Sequence, residues 1–290
     1  MGLLVDGKWY DEWDGTANDD GRVIEKESQF RSWVTSDGSA GPTGEGGFKA
    51  EANRYHLYVA YACPWAHRAL IMRKLKGLDD LISVSVVSPN RSEKGWTFEP
   101  GEDVDTDPVL GAKYLYQVYA HAHPNYSGRV SVPVLYDLKQ NKIVNNESAE
   151  IMRMLNTAFD SVGANENDYY PERLRAEIDQ LNDEILENIN TRVYKASHAE
   201  DDLAKEEVAK LYRSLDQLEE RLENNHYLLG DEMTEADWRL FVTLIRFDHV
   251  YHGQFKTDQK KIVDYKNLDR YTKELYNYPG ISETVNFDHM

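Results

Sequence analysis

The chain has 290 residues, of which 41% are hydrophobic and 11% aromatic, and its 51 Asp and Glu against 33 Lys and Arg give a formal charge of −18. That core-forming content excludes a disordered chain. The charge disfavours general binding to phosphate backbones or anionic membrane surfaces, and the single cysteine, Cys63, excludes an intramolecular disulfide or a multi-cysteine metal site. The acidity also suits solubility at high salt. No stretch approaches the ~20 apolar residues of a membrane span. The start, Met1-Gly2-Leu3-Leu4-Val5-Asp6, lacks the regions of a secretory signal, so a cytoplasmic location is expected.

The length predicts two domains. Residues 1–54 are polar and Gly-rich, with apolar anchors at Trp9, Trp13, Phe30 and Trp33, and read as an irregular arm. The run His56-Leu57-Tyr58-Val59-Ala60-Tyr61 predicts a buried strand. Ala66, Ala69, Leu70, Met72 and Leu75 recur at helical spacing, with Pro64 in the first turn and Gly77 as a stop, and predict a helix. A second strand is expected over Leu81–Val87, and a hairpin pair over Val130–Tyr136 and Lys142–Val144. Ile151, Met154, Leu155 and Phe159 place a helix after Glu147. The insert, residues 89–128, carries a short helix near Gly111–Ala122 and is longer than a simple connection. The order is β-α-β, insert, β-β-α.

Beyond Tyr170-Pro171 the pattern is helical throughout: Leu174, Ile178, Leu181, Ile185 and Ile189, then Val208, Leu211, Leu215, Leu218 and Leu222. Thr234-Glu235-Ala236-Asp237 before Trp238, Leu240 and Phe241 predicts a capping box on a buried helix. The acidic stretches Glu200–Glu207 and Glu219–Glu223 read as solvated faces. An α/β domain over residues 1–165 and an all-α domain over 166–290 follow.

Cys63-Pro64-Trp65-Ala66 puts a thiol between a strand and a helix N-terminus. Unpaired backbone N–H groups and the positive helix end there favour the thiolate, so alkylation is expected to titrate below the ~8.5 of a free thiol. The ordinary alternative for a lone cysteine is inert core. Ala66 stands where a redox dithiol has its second cysteine, so a disulfide at Cys63 must be resolved by an outside thiol. Val132-Pro133 at the head of a strand reads either as a cis bond exposing Val132 to a ligand or as an edge-strand proline. Glu147-Ser148 reads either as a carboxylate and ammonium site or as plain capping. His67 and Arg68 follow the cysteine on its helix and receive no catalytic role.

With Cys63-Pro64-Trp65-Ala66, Gly95-Trp96-Thr97-Phe98, Val132-Pro133-Val134-Leu135, Asn146-Glu147-Ser148-Ala149-Glu150 and Glu283-Thr284-Val285-Asn286-Phe287-Asp288-His289 in this order, the chain resembles the glutathionyl-hydroquinone reductases, the Xi class of glutathione transferases. The resemblance implies a thioredoxin-like domain followed by a helical domain, and glutathione as co-substrate with no metal. It implies that Cys63 takes glutathione from a glutathionyl-hydroquinone and that a second glutathione releases it. It places Trp96 against glutathione, Arg129 on a carboxylate, Val132 on the cysteinyl amide, and Glu147 with Ser148 at the γ-glutamyl end, a set that accepts any γ-glutamyl-cysteine unit. Tyr194 matches a family tyrosine that meets the aromatic substrate, and Tyr276 is the preferred second, ahead of Tyr271 and Tyr251. A homodimer is implied. Family members continue past the Asn-Phe-Asp-His segment with basic and tyrosine residues, a stretch expected to bear on assembly and turnover, whereas this chain ends at Met290. Glutathione thioltransfer or dehydroascorbate reduction is the enzymatic alternative, and a non-catalytic binding protein on the same fold is the other.

Overall fold

The computed structural model describes residues 2–11, 28–198, 201–254 and 260–290, so the anchor Trp13 and the acidic Glu200 lie outside the described residues. The chain divides into two units, one running to Glu166 and including His289, the other from Asn167 to Asp288 with Met290. Among the described residues no helix is long and apolar enough to cross a membrane.

The start of the arm corrects the expectation of irregular chain. Leu3–Val5 (β1) and Lys8–Tyr10 (β2) pair antiparallel, Leu3 opposite Tyr10 and Val5 opposite Lys8. Asp6 and Gly7 turn between them with φ of 43° and 74°, the left-handed pair that a tight hairpin turn requires and that Asp-Gly supplies. Leu4 is bonded in both directions to Gly128, tying this hairpin to the end of the insert.

Tyr55–Val59 (β3) is buried at every position. It lies between Ile82–Val86 (β4), which it pairs in parallel, and Val134–Asp137 (β5), antiparallel, with Lys142–Asn145 (β6) beyond; the order is β4-β3-β5-β6. A strand interior to the sheet and covered on both faces needs apolar residues at consecutive positions, which is why β3 reads as a continuous run. Pro64–Leu75 (α1) links β3 to β4 and packs on Ser148–Thr157 (α3), while Leu115–Ala122 (α2) sits in the insert. Gly77, at φ 65°, ends the turn after α1 in the left-handed region where a Cβ is penalised. The third strand starts at Val134, later than the expected Val130, and because β5 is an inner strand Pro133 is not an edge-strand proline.

Both sheet edges are covered. Asp105 of the insert bonds β4 twice, its N–H donating to the Val86 carbonyl (2.9 Å) and its carboxylate accepting the Val86 N–H (2.8 Å). Beside β6 the arm takes over: Ser32 N–H donates to the Val144 carbonyl (3.0 Å), and Arg31 pairs with Glu150 on α3.

His56, in the middle of β3, is only 1% exposed, with Nδ1 2.7 Å from Ser83 Oγ. Burial pushes its pKa down to about 4 from an ordinary 6.5. The unfolded chain therefore binds this proton below pH 6.5 while the native chain binds it only near pH 4, so native stability falls as pH drops through that window and levels off beneath it. We expect His56→Gln to reduce the stability lost between pH 7 and 4.5 by about 2 kcal/mol, as measured by urea unfolding at the two pH values. An equal acid loss in both proteins would contradict it.

In the second unit the chain runs through Arg175–Ile185 (α4), Arg192–His198 (α5), Asp201–Arg221 (α6), Glu235–Arg246 (α7) and Lys266–Tyr276 (α8). Wide π turns over Leu186–Asn190 and Phe247–Tyr251 extend α4 and α7. The reading of the acidic stretches as solvated faces fails at two residues. Glu207 is buried against the Arg192 guanidinium, because a carboxylate enters the interior when a cation meets it there. Glu219 accepts the N–H groups of Asn267 (2.9 Å) and Leu268 (2.8 Å), satisfying the orphan donors that open α8.

Candidate active site

Three of the expected site segments meet at one end of the sheet, and the strand register is what brings them there. Tyr58 of β3 faces Val134 at the start of β5, and Leu135 faces Asn145 at the end of β6. The chain leaving β3 therefore reaches Cys63 beside the Val132-Pro133 segment that enters β5, and the chain leaving β6 reaches Glu147 and Ser148 at that same end. Trp96 belongs there too: Ser88, just past the parallel β4, donates its N–H to the carbonyl of Thr97 (2.9 Å).

Cys63 is the residue preceding the first turn of α1, with extended backbone (φ −95°, ψ 114°) and Pro64 inside the helix, where a missing N–H goes unneeded. Its N–H donates to Ala60 (3.0 Å), closing a turn over Tyr61 and Ala62, and its carbonyl accepts the first helical bond from His67 (3.0 Å). The thiol is half-buried, with Sγ 3.7 Å from the Val132 carbonyl oxygen. Cys63 is therefore not a residue of the sealed core. His67 and Arg68 are buried, and the Arg68 guanidinium lies 4.4 Å over the Trp65 ring.

The Val132-Pro133 bond is cis. Regular pairing of β3 with β5 ends at Val134, so Val132 lies outside the ladder with its main chain beside the sulfur. Glu147 caps α3: its carboxylate accepts from Ala149 N–H (3.3 Å) and from the Ser28 hydroxyl (3.3 Å), while its own N–H donates to Asn145 Oδ1 (2.7 Å). Ser148 is buried at the first helical position. Trp96 is nearly covered, and the Arg91 guanidinium lies over its ring at 4.1 Å. Arg129 is exposed, its carbonyl accepting the Tyr126 hydroxyl (2.8 Å).

Tyr119 escaped the sequence reading. Fully buried on α2, it donates to the Ser131 carbonyl (2.8 Å) and accepts from Asn146 Nδ2 (3.2 Å), joining the residue before Val132 to the residue before Glu147. Burial raises its pKa, keeping it a neutral donor. Its only signal in the sequence was an apolar position on the predicted insert helix.

In the helical unit, Tyr194 on α5 has its hydroxyl 3.3 Å from that of Tyr251, with ring centroids 5.7 Å apart. Tyr276 at the end of α8 is partly exposed and lies 6.2 Å from the Phe287 ring. The tyrosine paired with Tyr194 is thus Tyr251. Tyr271, buried, donates instead to Asp237 (2.9 Å). Among the described residues there is no group of three or more His, Cys, Asp or Glu that could hold a metal ion.

A thiol at a helix start, an unladdered peptide beside the sulfur and a capped acidic helix start suit binding of a small peptide thiol and exchange at its sulfur. The family model of the glutathione S-transferase N-terminal domain matches residues 62–158, and that of the glutathione S-transferase C-terminal domain matches residues 199–274. The chain is 54% identical to the glutathionyl-hydroquinone reductase YqjG of Escherichia coli (strain K12), over 100% of this chain and 89% of that protein. The glutathione-bound structure of YqjG superposes with a TM-score of 0.91 at 52% identity, covering 99% of this chain and 88% of that one. The glutathionyl-hydroquinone reductase PcpF of Sphingobium chlorophenolicum is 49% identical over 100% of this chain and 90% of its own. The structure of a Xi-class glutathione transferase from Natrialba magadii gives a TM-score of 0.90 at 46% identity, with 100% and 87% covered.

Proposed function

Since the chain belongs to the glutathione S-transferase family, among its Xi-class glutathionyl-hydroquinone reductases, we propose that it converts glutathionyl-hydroquinones to hydroquinones through a Cys63–glutathione mixed disulfide. The Cys63 thiolate attacks the glutathionyl sulfur. The carbon–sulfur electron pair stays on the aromatic carbon, which takes up a proton, and the hydroquinone leaves. The sulfur that Cys63 has captured is the glutathione half of the mixed disulfide; a second glutathione thiolate attacks that glutathione sulfur, forming oxidised glutathione and expelling the Cys63 thiolate. The observation that carries this reading is the single cysteine's sulfur at the start of α1, 3.7 Å from the Val132 carbonyl of the cis Val132-Pro133 turn.

The other residues take supporting roles. Val132 pairs with the cysteinyl amide of glutathione, Glu147 meets its γ-glutamyl ammonium and Ser148 the adjoining carboxylate, Trp96 packs on the peptide, and Arg129 reaches its other carboxylate. Tyr194 and Tyr276 address the hydroquinone oxygens, and the hydroxyl pair of Tyr194 with Tyr251 supports the first of these roles. The enzyme is read as a homodimer of the cytoplasm, where thiol pools keep a single cysteine reduced.

Intact-mass measurement after incubation with a glutathionyl-hydroquinone tests the cycle. One glutathione is expected on Cys63, and added glutathione should remove it. Protein that stays unmodified while hydroquinone accumulates would refute the mechanism.

A further inference from the structure

The Glu283–His289 motif takes no part in the chemistry above, yet its last residue makes its contacts with Tyr61 and Glu102. His289 groups with the first unit. It is 7% exposed, with Nε2 2.9 Å from the Glu102 carbonyl oxygen and its ring 5.7 Å from that of Tyr61 in an edge-on contact of 70°. A carbonyl only accepts, so Nε2 carries the proton. Tyr61 is a central residue of the turn that the Cys63 N–H closes on Ala60. Glu102 belongs to the insert loop that Asp105 fixes to Val86 of β4. Burial and the nearby carboxylates of Asp103 and Asp105 raise the Tyr61 pKa, keeping that ring an uncharged packing partner.

The imidazole therefore bridges a turn with little regular structure of its own to a loop already anchored on the sheet. We propose that His289 is a positioning residue for Cys63: by packing on Tyr61 while bonded to the Glu102 carbonyl, it holds the Ala60–Cys63 turn and with it the direction of the attacking sulfur. The inference rests on Cys63 being the nucleophile, as argued under Proposed function. A nucleophile displaced by a fraction of an ångström reacts more slowly even when its substrate is bound as tightly.

The test compares full-length wild type, His289→Ala and His289→Gln, the last of which carries a donor that reaches the same carbonyl. In His289→Ala the Cys63 amide is expected to exchange hydrogen at least about tenfold faster, reporting an opened turn. The saturating rate of Cys63 glutathionylation by a glutathionyl-hydroquinone should fall roughly tenfold while half-saturation stays within about twofold. His289→Gln should recover most of both losses. An unchanged Cys63 amide and rate in the alanine variant would overturn the proposal, as would a loss of thermal stability without either change, or a glutamine variant as impaired as alanine. If wild type takes no glutathione from the hydroquinone adduct, the proposed function falls, whereas exchange at the Cys63 amide still decides for or against His289.

Discussion

Cys63→Ser is expected to lose glutathionyl-hydroquinone reduction by at least about a thousandfold, since a hydroxyl has neither the nucleophilicity of a thiolate nor a mixed disulfide to form. The fold should not suffer. Cys63 precedes α1 with extended backbone and gives it no side-chain cap, and serine is among the favoured residues at such a position, so helix stability should hold or rise by about 0.5 kcal/mol. The contacts that define the site around it come from main-chain atoms of Ala60, Val132 and His67, which the substitution leaves in place. Glutathione affinity by calorimetry should therefore remain within about threefold of wild type, because the residues proposed to hold the peptide's ends, Glu147, Ser148 and Arg129, are left unchanged. Steady-state hydroquinone release, thermal unfolding and calorimetry on the same preparation separate these effects. Turnover within tenfold of wild type would refute the assignment of Cys63; a large fall in unfolding temperature would instead refute the claim that its role is chemical.

What the sequence disclosed and what it withheld divide along the range of the interactions. β3, α1 and the start of α3 were legible because each announces itself within a dozen residues: a continuous apolar run, Pro64 with Gly77, and Glu147 ahead of Ile151. The β1–β2 hairpin was equally local, and Asp6-Gly7 is its signature, but a polar, Gly-rich composition masked three-residue strands. The bonds of Ser28 to Glu147 and of Tyr119 to Ser131 and Asn146 join segments far apart in the chain. No local pattern distinguishes such a serine or tyrosine from the others. The same holds for Glu207, whose burial depends on Arg192 reaching it from another helix. The π turns at Leu186–Asn190 and Phe247–Tyr251 preserve the apolar spacing on either side and so read as plain helix.

The capping box was the feature of the helical unit best foreseen, and the structure enlarges its role. Asp237 is 0% exposed and accepts from Thr234 N–H (2.8 Å), the Thr234 hydroxyl (3.1 Å), Leu228 N–H (2.9 Å) and the Tyr271 hydroxyl (2.9 Å). Burial, with the Asp237 carboxylate beside it, raises the Tyr271 pKa well above its ordinary value, so the phenol stays a donor. One carboxylate thus closes the start of α7, fixes the loop before it and docks α8. Asp237→Ala would strand two backbone N–H groups, each costing about 1–3 kcal/mol when buried, and leave the Tyr271 phenol only its long 3.4 Å bond to the main-chain carbonyl of residue 237. We expect a loss of roughly 4 kcal/mol or more in urea unfolding followed by the fluorescence of the adjacent buried Trp238. Asp237→Asn keeps one acceptor oxygen but turns an amide toward donors, and about half that loss is expected. α7 runs on into the π turn that ends in Tyr251, the partner of Tyr194, so loosening its start should disturb the aromatic pair as well. Alkylation of Cys63 in the first unit should proceed at the wild-type rate under native conditions in Asp237→Asn. An unfolding free energy within 1 kcal/mol of wild type for Asp237→Ala would mean that water replaces the lost acceptors and that the carboxylate is no hub.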